Sequence, residues 1–377
     1  MDKKIKVAVI GCGCRARVVV GHLLQDSQRN VEITTMFDPD PAQCDRRKAD
    51  WQTPGAVTCA SYQEAIDFPG IEWVMVFSPN AFHKEEVIAA FHAGKHVFSE
   101  KPLATSIEDC QEIYNEYKKA GVIFATGFVL RYSKLYEKTK EILDSGILGK
   151  LYAINADENL PPSWGGTSMC NWRRLTKFGG PYLLEKCCHD LDLINWFCGS
   201  LPSKVASFAN SKFFLPENKY LEDKYGHGAF FCPGNAHVCA SPFTSEKDVH
   251  DSNFLIAQYR NNILATFQLS LNNALEERRM VFSCTEGTMK LDLYKGTMCY
   301  RNLADDYIHE FNFGADGHGG GDDYIMKALY DTMCNGGEPK CSASEGLESA
   351  VFALACEQSV TTGEIIDLEP IWKNLER

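Results

Sequence analysis

A glycine-rich loop followed by a carboxylate contains the first residues whose types could do chemistry. Gly11, Gly13 and Ala16 fit the pattern G-x-G-x-x-G/A, directly after an apolar run and before a helical stretch. In such a loop the first glycine permits a tight turn and the second lets the backbone approach a pyrophosphate. Asp38 ends the next strand, near the roughly 20-residue spacing at which a carboxylate bonds a ribose 2′-hydroxyl. The pattern predicts an NAD site that also includes Cys14 and Arg15.

Two features leave alternatives open at this loop. A carboxylate at Asp38 would repel a 2′-phosphate, which favours NAD over NADP, but Arg46 and Arg47 lie nearby and an arginine can accommodate that phosphate. The loop could also be a tight strand-to-helix turn that binds nothing, with Asp38 only ending its strand.

A second candidate segment is a helix predicted over residues 181–198. Two glycines and Pro181 mark its start. At about 100° per residue, Glu185, His189 and Asp192 fall within about 60° of one another, so this side should face a polar cavity. His189 is the candidate general base, because an ordinary histidine has a pKa near 6.5. The alternative is a histidine packed in the core.

Strands and helices alternate over the first part of the chain and give way to strands later. The alternation predicts a doubly wound parallel sheet in a Rossmann domain over residues 1–128. Residues 129–377 are predicted to form an α+β domain with a large, mostly antiparallel open sheet. Residues 215–252 have little periodicity and are predicted to be a long loop or insertion. At the carboxyl end of one strand of the parallel sheet lies Lys101, where ligands bind in such folds.

Composition excludes several classes of function. The chain has 377 residues, a net charge of −12 and no long basic run, which argues against nucleic acid or an anionic membrane as partner. No apolar stretch approaches the ~20 residues that a membrane helix needs. The N-terminus runs directly into a predicted strand, so we expect no signal peptide and a cytoplasmic protein. The sixteen cysteines are scattered and are expected to be reduced and mostly buried.

No metal site is predicted. His227, Cys232, His237 and Cys239 match no standard zinc spacing. Cys187 and Cys188 are adjacent on a helix and point about 100° apart, which favours packing.

The chain resembles the glucose–fructose oxidoreductase / inositol dehydrogenase / MocA family along nearly its whole length. The resemblance is carried by the glycine loop, Ser78-Pro79-Asn80 with His83, the segment AGKHVFSEKP that contains Glu100 and Lys101, Gly127 through Arg131-Tyr132, and GHGGGD around His318. It implies a Rossmann domain that binds a nicotinamide cofactor and a second domain whose sheet forms homo-dimer or homo-tetramer contacts.

The resemblance also implies roles for individual residues. Lys101 would be the catalytic lysine, because an ammonium at a developing alkoxide stabilises its charge; the alternative is a lysine paired with Glu100. His189 matches the family histidine near the substrate hydroxyl. Glu185 stands where the family usually has aspartate, and Lys186 follows it as an additional lysine; Glu185 could orient His189, bond the substrate or pair with a lysine. The remaining candidates for binding the cofactor are Ser78, Pro79, Asn80, His83 and Glu100. The remaining candidates for binding the substrate are Arg131, Tyr132, Trp164, Trp172, Arg173, Lys186, Asp192 and His318. For the aromatic and arginine residues of this second set, the alternative is ordinary packing or a protein interface.

The expected activity is NAD-dependent oxidation of a secondary hydroxyl on a sugar, glycoside or cyclitol. The segment from Glu185 to Asp190 resembles a glycoside-processing branch that oxidises C3 of a glucoside, so C3 of a glucoside or of free glucose is the specific expectation. The alternatives are an inositol dehydrogenase, a redox-neutral glycosidase that uses NAD, and a sugar-sensing regulator without catalysis.

Overall fold

A computed structural model describes residues 4–232 and 239–377. The chain forms two compact units. The first contains the residues up to Tyr132 together with Gly321–Ala350, and the second contains Ser133–Gly320 together with Val351–Arg377.

The first unit has a six-stranded, all-parallel sheet in the order β3-β2-β1-β4-β5-β6. Its strands are β1 (Ile5–Ile10), β2 (Val31–Phe37), β3 (Val57–Thr58), β4 (Trp73–Val76), β5 (His96–Ser99) and β6 (Phe124–Thr126). The helices between them are α1 (Cys14–Asp26), α2 (Pro41–Trp51), α3 (Tyr62–Asp67), α4 (His83–His92) and α5 (Ile107–Ala120). All of β4 is buried, as expected for a strand covered on both faces. This sheet confirms the predicted Rossmann fold.

The second unit has a nine-stranded, mostly antiparallel sheet in the order β14-β13-β12-β11-β7-β10-β9-β8-β15. Its strands before residue 321 are β7 (Leu151–Asn159), β8 (Pro202–Asn210), β9 (Ser252–Tyr259), β10 (Leu264–Ser270), β11 (Glu277–Cys284), β12 (Gly287–Asp292), β13 (Thr297–Asn302) and β14 (His309–Asn312). Its helices there are α6 (Lys134–Asp144), α7 (Pro162–Ser168), α8 (Thr176–Gly179), α9 (Tyr182–Cys198) and α10 (Tyr220–Tyr225). Only β7 and β10 pair in parallel, so the predicted sheet type is confirmed.

The C-terminal elements divide between the two units. They are α11 (Gly321–Asn335), α12 (Ala343–Thr362), β15 (Ile366–Asp367) and α13 (Glu369–Asn374). Helix α11 packs on α1 in the first unit, where Tyr330 accepts a 3.1 Å hydrogen bond from Asn30. This differs from the predicted division at residue 128, which placed all later residues in the second domain. The reason is that an amphipathic pattern reveals that a helix has a buried face but not which sheet it covers.

The region predicted as a long loop contains more structure than expected. Residues 216–218 and 227–230 form single turns of 3-10 helix on either side of α10. Phe213, Phe214, Phe230 and Phe243 pack against one another, with ring centroids 4.8–6.2 Å apart. The segment is therefore anchored by an aromatic cluster, which its sparse periodicity did not indicate. Across the part of the chain described, no helix combines the length and apolar character needed to cross a membrane.

Candidate active site

The glycine loop of the first unit has room for a ligand. Gly11 has φ +80°, and a Cβ there would lie 2.6 Å from the Ser78 backbone nitrogen, so only glycine fits. Gly13 caps the N-terminus of α1 without a side-chain hydrogen bond, and a Cβ there would meet no atom within 4 Å. The first turn of α1 carries no acidic residue, and Ala16 is fully buried. Open backbone N–H groups at a helix start suit the pyrophosphate of a dinucleotide.

Asp38 is held beside this loop by its own hydrogen bonds. Its carboxylate accepts the Cys12 N–H at 2.8 Å and the Asp40 N–H at 2.9 Å. Arg47, one of the two arginines that could have received a 2′-phosphate, is largely buried and pairs with Asp50 at 3.0 Å. Arg46 is exposed, as is Cys14 in the loop itself.

Lys101 follows a carboxylate that organises its surroundings. Glu100 is largely buried and accepts hydrogen bonds from the Arg15 Nε at 2.5 Å and from the Lys101 N–H at 3.2 Å. Arg15 also pairs with Asp322 at 2.7 Å. A Cβ at Gly127 would lie 2.8 Å from the Glu100 carboxylate, so a larger residue there would displace this carboxylate. Glu100 therefore contacts both the side chain of Arg15 and the backbone of Lys101.

The other predicted cofactor residues lie at the end of β4. Asn80 and His83 are buried, and Ser78 and Pro79 are partly exposed. The Ser78 hydroxyl bonds the buried Glu86 carboxyl. Burial raises the pKa of Glu86 to about 8, so this group keeps its proton at neutral pH. Two predicted substrate residues of the same unit, Arg131 and Tyr132, are also buried beside Lys340.

In the second unit, α9 brings several predicted residues together. Glu185, His189 and Asp192 are each 2–3% exposed, so this side of the helix is more enclosed than the predicted polar cavity. The His189 ring lies 5.9 Å from the ring of His318, measured between centroids. Glu185 binds the Arg173 Nε at 2.7 Å. The structure thus gives Glu185 an arginine as a partner, which was not among the alternatives considered for it.

Two cations at this helix each lie against an aromatic ring and a carboxylate. The Arg173 guanidinium is 4.3 Å from the centroid of Trp172. The Lys186 ammonium is 5.7 Å from the centroid of Trp164 and pairs with Glu158 at 2.9 Å. Flat aromatic faces combined with hydrogen-bond donors are the groups that sugar rings contact in binding sites.

Sequence reasoning missed the buried ionic network beneath α9. Arg278 on β11 binds both oxygens of Asp190 and lies 3.1 Å from Glu158. The Tyr294 hydroxyl donates to Glu158 at 3.0 Å. Burial would raise the pKa of Glu158, but Arg278 and Lys186 outweigh that effect and lower it to about 2. Burial and the Glu158 charge raise the pKa of Asp190 to about 6 against the attraction of Arg278. Both carboxylates are therefore ionised at neutral pH and balance the two cations.

The same network supplies the one group of possible metal ligands found among the described residues. Ligand atoms of Glu158, Cys187 and Asp190 lie within 4.8 Å of one another and are buried. Because Arg278 and Lys186 already neutralise the two carboxylates, the chemistry of this cluster does not suit a metal cation. Of the four residues compared with zinc ligands, His227 bonds Glu222 at 3.2 Å, the thiol of Cys239 faces a backbone carbonyl, and His237 lies outside the described residues.

Taken together, the parallel sheet, the glycine loop and the open start of α1 define an NAD-binding Rossmann domain of an oxidoreductase. A family model described as an oxidoreductase family with an NAD-binding Rossmann fold matches residues 5–128. The GFO/IDH/MocA C-terminal domain matches residues 136–290. The chain belongs to the GFO/IDH/MocA family, which confirms the resemblance found in the sequence.

Known relatives act on carbohydrates and cyclitols. The chain is 24% identical over 265 residues to 2,7-anhydro-N-acetylneuraminate hydratase of Escherichia coli, covering 70% of this chain and 62% of that protein. It is 26% identical over 233 residues to inositol 2-dehydrogenase/D-chiro-inositol 3-dehydrogenase of Lactiplantibacillus plantarum, covering 59% of this chain and 62% of that protein. The match spans 52–62% of the length of the first four curated relatives. Levoglucosan dehydrogenase, solved with NADH and levoglucosan, shares the fold with a TM-score of 0.81 at 16% identity, covering 97% of this chain and all of that one.

Proposed function

We propose that this protein oxidises a secondary hydroxyl of a sugar or cyclitol with NAD, and that the hydroxyl is the one on C3 of a glucoside or of free glucose. The observation that carries the proposal is the pairing of cations with aromatic faces around α9. Arg173 lies over Trp172 and Lys186 near Trp164, and each cation is neutralised by a carboxylate. This arrangement offers donors and flat surfaces without excess charge, which suits a neutral hydroxylated ring.

In this proposal two residues handle the substrate oxygen. Oxidation of a secondary alcohol to a carbonyl removes a hydride from the carbon and a proton from the hydroxyl oxygen. His189 accepts that proton, and the Lys101 ammonium stabilises the negative charge that develops on the oxygen. When bound, NAD supplies the acceptor for the hydride. Glu185 is held by Arg173 within one turn of His189 and fixes the polar surroundings of the substrate, with Asp192 and His318 as further substrate contacts.

We also propose that NAD is preferred over NADP. Asp38 is fixed by two backbone N–H groups beside the loop, where its charge would oppose a 2′-phosphate. Arg47 is occupied by Asp50 in its own helix, which removes one of the two arginines that could offset that repulsion.

The test is a substrate panel with both cofactors. Purified protein is mixed with NAD or NADP, and nicotinamide absorbance is followed on addition of glucosides, free hexoses and inositols. Reduction of NAD by glucosides or glucose, with a 3-keto product, is the expected result. Reduction by inositols alone would support a cyclitol dehydrogenase instead.

A redox-neutral glycosidase is the second candidate, and the observation that favours it is the similarity to proteins named hydratases. Release of an aglycone without accumulation of NADH would support this reading. No reaction with any sugar or cyclitol would contradict both candidates.

We further propose that the protein forms homo-dimers or homo-tetramers through the outer face of the nine-stranded sheet. Phe208, Phe254 and Ile256 on β8 and β9 are 74%, 50% and 61% exposed, and such adjacent apolar side chains mark association surfaces. Light scattering on the wild type and on Ile256→Glu tests this: the variant should give a smaller mass.

A further inference from the structure

His83 occupies an unusual position at the end of the parallel sheet. Its ring is completely buried at the start of α4. Nδ1 lies 2.9 Å from the Pro102 carbonyl oxygen, and Nε2 lies 3.0 Å from the Ser78 carbonyl oxygen. The ring therefore connects the chain just after β4 to the chain just after β5. The ring of His83, a residue predicted from the sequence to bind the cofactor, is thus enclosed by protein atoms.

The two partners of this ring constrain its protonation state. Carbonyl oxygens only accept hydrogen bonds, and a neutral imidazole has a single N–H to donate. One of the two contacts would then bring a nitrogen lone pair toward an oxygen. Only the imidazolium, with two N–H groups, satisfies both carbonyls at once.

The charges around the ring act in opposite directions. Burial lowers the pKa of His83, the two carbonyls and the Glu100 charge raise it, and the Lys101 charge lowers it further. Glu86 on α4 keeps its proton at neutral pH and adds no charge. The net effect is a lowered pKa, so the form with both hydrogen bonds belongs to the acidic side of neutrality and one bond is lost as pH rises.

The Pro102 carbonyl is one residue beyond Lys101. On its other side, Lys101 donates its N–H to the Glu100 side chain, which Arg15 holds in turn. The backbone at Lys101 is thus fixed from two directions, by Glu100 and by His83 acting through Pro102. Catalytic side chains need placement to well under an ångström, which requires such support.

We propose that His83 is a positioning residue for Lys101, which it holds by donating hydrogen bonds to the Ser78 and Pro102 carbonyls, both of them only when its ring carries two protons. The proposal rests on the proposed function in one respect: it takes Lys101 to act on the substrate oxygen.

The test compares wild type with His83→Phe and His83→Gln. Phenylalanine keeps a buried ring but has no donor, whereas glutamine keeps an amide donor for one carbonyl. We expect His83→Phe to retain NAD affinity and KM within about threefold and to lose at least about tenfold in kcat, in line with the effect of a displaced catalytic group. His83→Gln should recover most of that loss. Unchanged kcat in His83→Phe, or equal losses in both variants, would overturn the proposal.

A pH series separates positioning from a structural role. The ratio of wild-type kcat to His83→Gln kcat cancels ionisations that both proteins share. This ratio should fall as pH rises through the His83 ionisation, which ¹⁵N NMR of labelled histidine measures directly by the protonation of both ring nitrogens. A ratio that does not change with pH, or a His83 ring that stays singly protonated down to pH 5, contradicts the two-donor role.

A measurement that needs no substrate turnover can test the role of His83 even if the proposed function is wrong. If the wild type oxidises no sugar or cyclitol, the proposed function fails. The rate at which an acylating reagent modifies the Lys101 amine, measured by mass spectrometry, then tests His83 alone. A rate that differs at least about threefold between wild type and His83→Phe, with Lys84 as an internal reference, supports positioning, and equal rates overturn it.

Discussion

Arg278 on β11 and Asp190 on α9 form a two-bond ion pair inside the second unit, with Nε–Oδ1 at 2.9 Å and Nη2–Oδ2 at 2.7 Å. The pair lies one residue from His189 along α9. Through Glu158, the same arginine is linked to Lys186, so α9 is tied to the sheet at two positions one turn apart, Lys186 and Asp190. The orientation of α9 therefore depends on charges that are removed from solvent.

The first prediction concerns this network. Replacement of a buried partner leaves the opposite charges unpaired, which costs about 3–5 kcal/mol. We expect Arg278→Met to lower the free energy of unfolding by about that amount, measured by denaturant titration. The neighbouring Arg279 is 48% exposed and pairs with Asp157, so Arg279→Met is the control and should cost less than about 1 kcal/mol. Equal losses in the two variants would show that the buried network does not stabilise the unit.

The alternation of side chains along β11 could have indicated from the sequence that Arg278 is buried. Charged residues at 276–279 resemble a solvated turn, but side chains alternate along a strand and Arg278 shares a face with the buried Met280 and Phe282. Glu158 similarly shares the buried face of β7 with Ile154 and Ala156. The sheet types, the glycine loop and most element positions follow from periodicity and turn residues. The pairing of two buried charges distant in sequence does not, because it depends on strand register.

The candidate site was predictable from the sequence only where its residues lie in local motifs. Asp38 beside the glycine loop and Glu100 beside Lys101 are close in sequence to strand ends, and parallel strands bring those ends to one edge. The contact of Arg15 with Asp322 joins positions 307 residues apart, and α11 carries no motif that reports which unit it covers. His83 was recognised as part of a motif, but its role depends on two backbone carbonyls that no side-chain pattern shows.

The second prediction concerns stability and pH in the first unit. Burial raises the pKa of Glu86 from 4.5 to about 8, so the folded protein holds a proton that the unfolded chain releases above about pH 4.5. This contribution to stability is complete below that pH and is lost as pH rises through 8, at up to about 1.4 kcal/mol per pH unit. Glu86→Gln should remove this dependence, so that its melting temperature changes less than that of the wild type between pH 5 and 8.

Glu85 provides the matched control for this measurement. It is the preceding residue on α4 and is exposed, and its charge makes a smaller contribution than burial to the raised pKa of Glu86, so Glu85→Gln should keep most of the wild-type pH dependence of the melting temperature. A wild-type stability that rises steadily across this range and is altered equally by both substitutions would contradict a protonated Glu86.

The third prediction tests the lysine at the end of β5. We expect Lys101→Ala to keep NAD affinity within a few-fold, because the backbone of the glycine loop and Asp38 remain, and to lower kcat by about 10²-fold or more through loss of charge stabilisation at the oxygen. Titration with NAD and steady-state assays on the sugar identified in the panel give the two values. Lys84→Ala is the control, since Lys84 pairs with Asp109 at 2.7 Å on the helical side of the sheet. Unchanged turnover in Lys101→Ala would exclude its catalytic role.

The fourth prediction concerns the base. His189 is the group proposed to accept the proton of the substrate hydroxyl. His189→Ala should lower kcat/KM by about 10²–10⁴-fold near neutral pH, the range typical of a lost general base. His92→Ala, which removes an exposed histidine that pairs with Glu116, should retain the wild-type kcat/KM. If His189→Ala kept the wild-type kcat/KM, the proton would have to leave through another group, and His318, whose ring lies 5.9 Å away, would be the residue to replace next.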